Sequence, residues 1–533
     1  MDQRDVSDPL APSQPMVPDL IKLDQIPTNF LQHVETDLLE TSTFQEATAT
    51  ATGFASFNLA QKGFLHSHSK LLLGLVPGAV NQFFPVNIGV ASLIDRAVLK
   101  VRKSGQVIND ISDFGHFHAI KSVQISNETN REREQYMTGR IMNKEFKHHS
   151  DDGATTLYNP DQSKGYGLDN GRDYNTRAGA AGTRGIGQAG ATLPFAQMTT
   201  AALAQSPTYS IDISDLFLFM KTQSLPLYMI DQGLTLEIFW TQTTIDRVCA
   251  PAGQTGAATL LDVNELKFVA DYITYTEDDA MNRYRDANPV IDMSFSDYRL
   301  SKNTRSQAEI ASGFVRQLGM NNRVVPRVVT MISQEGTLQT APTGADVLQF
   351  TDGSLMNKYN MIAPDESVTN NLGVSTPSIA YNIRYKSRFE FSQPLSNKAQ
   401  AFSHFVQSEG LPFVSRQEYS SDQGGYLVGR IATAAVGPPI VQVNEPIAGS
   451  GVTYQTYAQD VMLGGRFFLL GTRLTNGRVG NDGVELHLTA TMPDDLRDNG
   501  GADVGTTRYV VRTYLEYVRR ARLADGEMQI FNA

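Results

Sequence analysis

Two stretches of this 533-residue chain repeat one strand pattern. "DQGLTLEI", from Asp231, matches "NDGVELHL", from Asn481; each has a turn ending in glycine and then alternating aliphatic residues. "LKFVADYI", from Leu266, matches "VRTYLEYV", from Val511, in the same order along the chain. The two offsets, 250 and 245 residues, agree closely. Because self-similarity at a fixed offset marks repeated architecture, the chain is predicted to be a tandem duplication.

The repeated unit is predicted to be an all-β domain. Short apolar runs are separated by Gly, Pro, Asn and Asp, as in "GRFFLLGTRLTNG". In "LTLEIFW" the residues Leu234, Leu236, Ile238 and Trp240 share one face, which predicts a half-buried strand with Trp240 in the core. The preceding "LPLYMI" is predicted to be its partner strand in a hairpin. A repeat of this length suits a β-sandwich with elaborated loops.

Other segments divide the chain. Residues 1–45 are rich in proline at their start and are predicted to be an extended N-terminal arm. The duplication predicts a first domain over 46–280, with a Gly-rich surface insertion at about 148–200, and a second over 281–533. Short helices are predicted from Ile213 and from Asn397, where apolar residues recur every three to four positions. Residues 291–370 alternate too poorly to assign strands.

Composition narrows the function classes. The formal net charge of −11 argues against a surface that binds nucleic acid. With Cys249 as the single cysteine, the sequence excludes an intrachain disulfide and indicates a reducing compartment. The polar, acidic start "MDQRDVSDPL" is unlike a secretory signal. The uncharged span from Leu71 to Ile94 contains two prolines, two asparagines and a glutamine, so it predicts buried strands and turns instead of a membrane span.

Motifs for catalysis are sparse. "GIGQAG", Gly185 to Gly190, satisfies the dinucleotide-binding pattern, but it lies in a Gly-rich loop and does not follow a strand. The patterns GxxxxGK, HExxH and GxSxG do not occur in the sequence. We therefore assign no catalytic residue and no cofactor and predict that the chain is not an enzyme.

Three clusters of polar residues allow either a site or a structural role. The pairs His66 with His68 and His116 with His118 would each point two imidazoles to one side of a strand, as metal ligands require, or they are ordinary polar residues at strand edges. The three consecutive carboxylates after a predicted strand would form either a calcium or acid-base site, or a solvated turn between domains: Glu277, Asp278 and Asp279. The three arginines near the C-terminal strand would either bind phosphates or the acidic groups of a partner, or lie at a strand end in solvent: Arg519, Arg520 and Arg522. The structural interpretation is favoured in each case, so no metal ligand is assigned.

The residues resemble a known family, the double jelly-roll major capsid proteins of the adenovirus and tectivirus lineage, most closely those of polinton-like viruses and virophages. The resemblance rests on "LPLYMIDQGLTLEIFW", "DVNELKFVADYI" and the terminal "YLEYVRRARLADGEMQIF". It implies two tandem eight-stranded jelly rolls with short helices and long loops. "LPLYMI", "LTLEIFW" and "LKFVADYI" would be the last three strands of the first roll, and "GVELHL" and "VRTYLEYV" the last two of the second.

The resemblance also implies a function. Three chains would form a pseudo-hexagonal capsomer, and capsomers would tile an icosahedral shell around a double-stranded DNA genome. The expected partners are the chain itself, penton proteins and minor capsid proteins, and the expected location is the virion, after assembly inside the host cell. A different class remains open, a tandem β-sandwich protein that binds or cleaves polysaccharide. The lone tryptophan and the lack of an identifiable catalytic carboxylate pair count against that class.

Overall fold

The structure is a computed structural model of the full chain. The residues it describes lie in the following ranges: 32–46, 52–76, 89–125, 137–138, 149–150, 157–158, 208–221, 224–241, 260–275, 278–334, 364, 379–408, 429–433, 442–446, 452–456, 468–475, 477–492 and 508–532.

Strands dominate both halves. Those of the N-terminal half are β1 (Gln32–Glu40), β2 (Thr43–Gln45), β3 (Phe54–Leu59), β4 (Phe64–Leu65), β5 (Lys70–Val76), β6 (Ile94–Val101), β7 (Val107–Ser112), β8 (His149–Ser150), β9 (Leu157–Tyr158), β10 (Thr208–Asp212), β11 (Leu225–Pro226), β12 (Leu234–Trp240) and β13 (Leu260–Tyr275). Those of the C-terminal half are β14 (Val290–Ser306), β15 (Phe314–Gly319), β16 (Arg327–Gln334), β17 (Ile379–Tyr385), β18 (Arg388–Phe389), β19 (Gly429–Thr433), β20 (Gln442–Pro446), β21 (Val452–Thr456), β22 (Leu469–Arg473), β23 (Val484–Ala490), β24 (Arg508–Ala524) and β25 (Glu527–Asn532).

Helices occupy the connections. The α-helices are α1 (Phe114–Ile125), α2 (Ile213–Leu216), α3 (Asp278–Ala287), α4 (Gln307–Ser312) and α5 (Lys398–Ser408), and the 3₁₀ helices are Gly89–Leu93, Leu218–Lys221 and Leu227–Met229. Helix α4 begins with a capping box, in which Ser306 and Glu309 each satisfy a backbone N–H of the other. The helices predicted from Ile213 and Asn397 are present as α2 with its following 3₁₀ turn, and as α5.

The strand order of each half is that of a jelly roll. Lettered B to I along the chain, the first eight principal strands are β1, β3, β5, β6, β7, β10, β12 and β13. They form one antiparallel sheet of order B-I-D-G and another of order C-H-E-F. The second eight are β14, β15, β16, β17, β18, β22, β23 and β24, and they form sheets of the same two orders. The chain is thus two tandem eight-stranded jelly rolls, here roll 1 and roll 2, as predicted.

The strand registers support the duplication found in the sequence. Leu234 of β12 pairs with Leu59, and its match Val484 of β23 pairs with Gly319 at the same place in strand C. In the other sheet, Asp271 of β13 pairs with Thr36, and its match Glu516 of β24 pairs with Tyr298 of strand B. The two rolls therefore repeat the same pairings between strands B and I and between strands C and H, apart from a register shift between Gln317 and Gly319 in strand C of roll 2.

The repeated turn and the tryptophan behave as predicted. Gly233 and Gly483 have φ of 66° and 73°, the left-handed region that favours glycine, and each donates its N–H to the carbonyl three residues earlier. Trp240 ends strand β12 with no exposed surface and is among the largest fully buried side chains described. It fills the core of roll 1 and does not form a ligand platform.

The predicted hairpin partner of "LTLEIFW" is wrong. In "LPLYMI" only Leu225 and Pro226 form a strand, which pairs with β4 in the B-I-D-G sheet, and a 3₁₀ helix follows. Strand β12 instead lies between β3 and β6. Pro226 has no N–H to donate and fixes its φ, so a central strand of the other sheet cannot run through it. The segment is thus not one of the last three principal strands, because strand G is β10.

Three further segments can be compared with expectation. Strands β1 and β2 fall inside residues 1–45, predicted to be an arm, and β1 pairs with β13 along its whole length. Residues 291–370, where no strand could be assigned, hold most of β14 and all of β15 and β16. Of the span from Leu71 to Ile94, the described residues lie in β5, a 3₁₀ helix and the start of β6. Among the described residues, no helix combines the length and apolar character needed to cross a membrane.

Candidate functional site: the interface between the rolls

The two rolls share one apolar core where they meet. Phe117 of α1 packs on Tyr298 of β14 and Tyr514 of β24, with ring centroids 4.7 Å and 5.4 Å apart. Phe219 of roll 1 packs on Phe295 of β14 at 5.2 Å. Residues of β16 that point away from the core of roll 2 extend the same cluster: Val329 and Met331. The outer face of the B-I-D-G sheet of roll 2 is therefore covered by roll 1 and, at strand β22, by Phe405 of its own helix α5.

Asp113 is the polar centre of this interface. It lies at the junction of β7 and α1, with φ of 54°, a left-handed conformation that aspartate tolerates better than most residues. One carboxylate oxygen contacts His116 Nδ1, and the other accepts from Arg512 Nε of β24 at 2.8 Å. Lys302 Nζ lies 3.4 Å from that second oxygen, and the Tyr514 hydroxyl donates to the Asp113 carbonyl at 3.0 Å. One residue of roll 1 thus meets three of roll 2.

The charges around Asp113 favour its ionised form. Burial alone would raise the pKa of this carboxyl, but the charges of His116 and Arg512, the His116 hydrogen bond and the charge of Lys302 hold its pKa well below the usual value. Arg512 itself is almost fully buried and also donates to the Ser333 hydroxyl. A buried ion pair of this kind fixes the geometry of the interface, and removal of either partner leaves the charge of the other less well compensated.

A second polar contact joins strand β7 to roll 2. Arg519 donates from Nη1 to the Ile108 carbonyl at 2.9 Å and from Nη2 to the Val107 carbonyl at 3.2 Å. Nη1 also lies 3.0 Å from the Asp297 carboxylate, which accepts from the Tyr517 hydroxyl at 2.8 Å. Burial raises the pKa of Asp297, and hydrogen bonds from Tyr517 and the Tyr298 N–H with the charge of Arg519 only partly offset it.

A polar cleft of about 550 Å³ runs along this part of the interface. Val107 and Asp110 line it from roll 1, and Asp297, Arg299 and Arg323 from roll 2. Asp110 is held by a two-pronged ion pair with Arg96, and Arg323 donates to the Asn532 side chain at 2.9 Å. The cleft therefore lies between the rolls, and its two carboxylates, Asp110 and Asp297, are paired with Arg96 and Arg519.

The two histidine pairs have different geometries. His66 and His68 lie edge to face, with ring centroids 4.7 Å apart, but the His68 N–H donates to His66 Nδ1 at 3.0 Å. Burial and the neighbouring His68 lower the pKa of His66. His116 and His118 lie on helix α1, not on a strand, so their two-residue spacing turns them apart. Within the described ranges, no group of three or more His, Cys, Asp or Glu side chains could hold a metal ion.

The other polar candidates have structural positions or lie outside the described residues. Asp278 and Asp279 begin helix α3, and Glu277 is outside the described residues. Arg522 forms an exposed two-pronged pair with Asp292. The favoured interpretation placed Arg519 at a strand end in solvent, and this is wrong because roll 1 covers the side chain. "GIGQAG" lies outside the described residues, as does most of the insertion, of which only β8 and β9 are described.

Sequence reasoning missed Asp113, the residue that organises the interface. Its signal would have been the segment "SDFGHFHAIK", in which one acidic residue precedes a helix rich in aromatic and basic residues. Arg512 was visible only as the match of Lys267 in the duplicated strand. Neither residue could be paired with the other from sequence, because 399 positions separate them.

Two complete jelly rolls joined through a shared core define a double jelly-roll protein. The chain is similar to PBCV-1 Vp54, in its crystal structure fitted into a reconstruction of the virophage Sputnik, with 12% identity, 96% of this chain and 98% of that chain covered, and a TM-score of 0.47. It is similar to a chain of the Sputnik virophage at 9% identity, 95% and 90% coverage and a TM-score of 0.46. It is also similar to the mavirus major capsid protein, with 12% identity, 95% of this chain and 91% of that chain covered, and a TM-score of 0.44. No family model and no curated protein matches the sequence.

Proposed function

We propose that this chain is a major capsid protein, a structural subunit without enzymatic activity. Three copies form a pseudo-hexagonal capsomer, and capsomers tile an icosahedral shell that encloses double-stranded DNA in the virion. Assembly takes place inside the host cell, and penton and minor capsid proteins complete the shell.

The observation that carries this proposal is the buried interface between two complete rolls. The shared aromatic core and the Asp113–Arg512 pair hold the two rolls as one block. A ring of three such blocks presents six similar units, which is what pseudo-hexagonal tiling needs. The sequence resemblance to double jelly-roll capsid proteins points to the same role, and the net charge of −11 would limit adhesion to a packaged genome.

The domain boundaries follow from this proposal with one adjustment. Because β1 supplies strand B of roll 1, we place the start of roll 1 at about residue 32 instead of 46, and limit the arm to the residues before it. Roll 1 then spans about 32–280 and roll 2 spans 281–533. The division between them stays near Ala280, as predicted from the sequence, and falls within α3. We assign the arm to contacts with neighbouring capsomers or minor capsid proteins, and the insertion at about 148–200 to an outward tower or an intersubunit loop.

The test is the mass and assembly of the purified full chain. Size-exclusion chromatography with light scattering is expected to give three chain masses, and negative-stain electron microscopy to give hexagonal particles or arrays. A monomer that binds ligands on a glycan array would contradict the proposal and support the polysaccharide-binding alternative.

A further inference from the structure

The duplication provides an internal comparison for the polar cleft between the rolls. In each roll, a cation from the connection between strands C and D lies over the ring of a tyrosine in strand I. In roll 1, Lys62 Nζ lies 5.1 Å from the ring centroid of Tyr272. In roll 2, the guanidinium carbon of Arg323 lies 5.3 Å from that of Tyr517. The two tyrosines match in the duplicated strand, so the two cations occupy corresponding positions.

Roll 1 compensates its cation with two carboxylates of strand B. Lys62 Nζ lies 2.7 Å from the Glu35 carboxylate and 2.8 Å from that of Asp37. In the pairing of strands B and I, Glu35 lies opposite Tyr272, and Asp37 lies opposite Ala270. The charge over the tyrosine ring is therefore balanced by side chains of the same roll.

Roll 2 reverses the charge at one of these two positions. Asp37 lies opposite Ala270, whose match in the duplicated strand is Leu515, and Leu515 lies opposite Arg299. Arg299 therefore occupies the position of Asp37. Where roll 1 supplies a carboxylate to its cation, roll 2 places a second cation beside Arg323.

The other strand B carboxylate is retained in roll 2 but has different partners. Asp297 lies opposite Tyr517 and so occupies the position of Glu35. Its carboxylate accepts from the Tyr517 hydroxyl at 2.8 Å and from Arg519 Nη1 at 3.0 Å. Asp297 thus compensates Arg519 at the interface, and Arg323 is left without the pair of carboxylates that Lys62 has.

The turn that follows strand C brings the two arginines to one wall of the cleft. Arg299 Nη1 lies 3.8 Å from Met320 Sδ, and the Arg323 N–H donates to the Met320 carbonyl at 3.3 Å. Arg323 Nη1 donates to the Asn532 side chain at 2.9 Å. Within the described residues, the partners of both guanidinium groups are neutral. Each guanidinium has five N–H donors, so most of them remain available to an oxyanion.

The lining of the cleft as a whole has an excess of positive charge. Four cationic side chains and two carboxylates line it: Arg299, Lys302, Arg323 and Arg519, and Asp110 and Asp297. Arg96 and Asp113 pair with Asp110 and Lys302 from outside the lining, and their charges cancel each other. Two excess positive charges therefore gather in one cleft of a chain whose net charge is −11.

We infer that this cleft binds a small molecule through a phosphate or diphosphate group, with Arg299 and Arg323 donating to its oxygens. A phosphate group carries a charge of about −1.5 to −2 at neutral pH, which balances the lining, whereas one carboxylate balances half of it. The guanidinium fork suits two-pronged binding of phosphate oxygens. The volume of about 550 Å³ is typical of small-molecule sites.

Isothermal titration calorimetry of the full chain with inorganic pyrophosphate tests the site. At one fixed ionic strength we expect saturable binding at one site per chain. Succinate, titrated under the same conditions, represents the acidic side chains of a protein partner and is expected to bind at least about tenfold more weakly, a difference of about 1.4 kcal/mol.

Arg299→Asp restores the arrangement of roll 1 and supplies Arg323 with a carboxylate. We expect pyrophosphate binding to weaken about ten- to a hundredfold, as for the loss of a hydrogen bond to a charged group. Because Arg299 is exposed, the melting temperature without pyrophosphate should not fall. The matched control is Arg316→Asp, the same change of charge at an exposed position of β15 outside the cleft, which should keep the wild-type affinity.

Arg299→Gln is a second variant that removes the charge without adding a carboxylate, and it should weaken binding about tenfold. No saturable binding by the wild type, an unchanged affinity in both Arg299 variants, or an equal loss in Arg316→Asp would overturn the inference. Succinate binding as tight as pyrophosphate binding would overturn the assignment to phosphate and favour an acidic protein partner. None of these results depends on the mass of the assembled chain, so the inference and the proposed function can fail separately.

Discussion

The two rolls have the same strand order but different surroundings on the outer face of the B-I-D-G sheet. In roll 2, Tyr514 and Arg512 on that face are buried against helix α1. In roll 1, the corresponding Val269 and Lys267 are only partly buried, and strand β1 at the edge is exposed along most of its length. The difference shows that topology sets which residues share a face, while burial depends on what packs against that face.

The rolls also differ inside. Trp240 ends strand β12 of roll 1, and the corresponding residue of β23 in roll 2 is Ala490. Both are essentially inaccessible to solvent, so the same strand end is filled by a large ring in one roll and by neighbouring side chains in the other. Each core has therefore been packed independently since the duplication.

The largest effect is expected from Trp240→Ala. Removal of a fully buried indole loses its transfer free energy and leaves a cavity, which should cost about 3 to 5 kcal/mol of unfolding free energy. Urea unfolding followed by far-ultraviolet circular dichroism measures it. Ala490→Gly in roll 2 is the matched control and should cost much less, since it removes one methyl group. Equal losses in the two variants would contradict the comparison of the cores.

The next effect separates the covered outer face from the open one. Arg512→Ala removes the Nε donor to Asp113 and leaves this buried carboxylate with only His116 and Lys302 as cationic partners, so it is expected to cost about 3 kcal/mol. Lys267→Ala, at the matching position of roll 1, should change the unfolding free energy by no more than about 0.5 kcal/mol. Both are measured by urea unfolding at one fixed protein concentration, so that any self-association contributes equally to the two variants. A large loss for Lys267→Ala would mean that the open face carries an intrachain contact.

Much of this fold could be predicted from sequence because its signals are local or repeated. The glycine turns before Leu234 and Val484 and the alternation after them gave strand H in both rolls, and the two offsets gave the duplication. Strand β14 could not be assigned because the apolar residues that pack against roll 1, Phe295, Tyr298 and Leu300, are not evenly spaced by two, so the alternation is interrupted.

The interface could not be predicted, for a related reason. Arg519 looks like a solvent-facing strand end until Val107 and Ile108, more than 400 positions earlier, are placed beside it. The wrong hairpin has the opposite origin. That prediction assumed that segments adjacent in sequence pair with each other. In a jelly roll, strand H instead pairs with strands C and E, which lie far from it in sequence.

A smaller effect distinguishes the two duplicated turns. Alanine at either glycine must adopt a positive φ, which costs about 1 to 2 kcal/mol. A Cβ at Gly483 would also lie 2.6 Å from the Gly319 carbonyl oxygen, whereas one at Gly233 would meet the Arg102 side chain at 3.3 Å. Gly483→Ala should therefore lower the urea midpoint more than Gly233→Ala. The reverse order would show that the turn of roll 1 is the more constrained of the two.

The smallest effect is a difference in pH dependence between the two interface carboxylates. The pKa of Asp113 is lowered in the folded chain, so its contribution to stability is present above the unfolded value of about 3.9 and is lost as pH falls through the folded-state pKa. The pKa of Asp297 is raised, so its contribution is full below that unfolded value and is lost as pH rises through the folded-state pKa. Urea unfolding of Asp113→Asn and Asp297→Asn from about pH 3 to about pH 7 separates the two. Asp113→Asn should flatten the acid side of the wild-type profile, and Asp297→Asn should remove part of the decline at higher pH. Profiles parallel to the wild type would mean that neither carboxyl is coupled to the joining of the rolls, and the polar centre of the interface would then have to lie elsewhere.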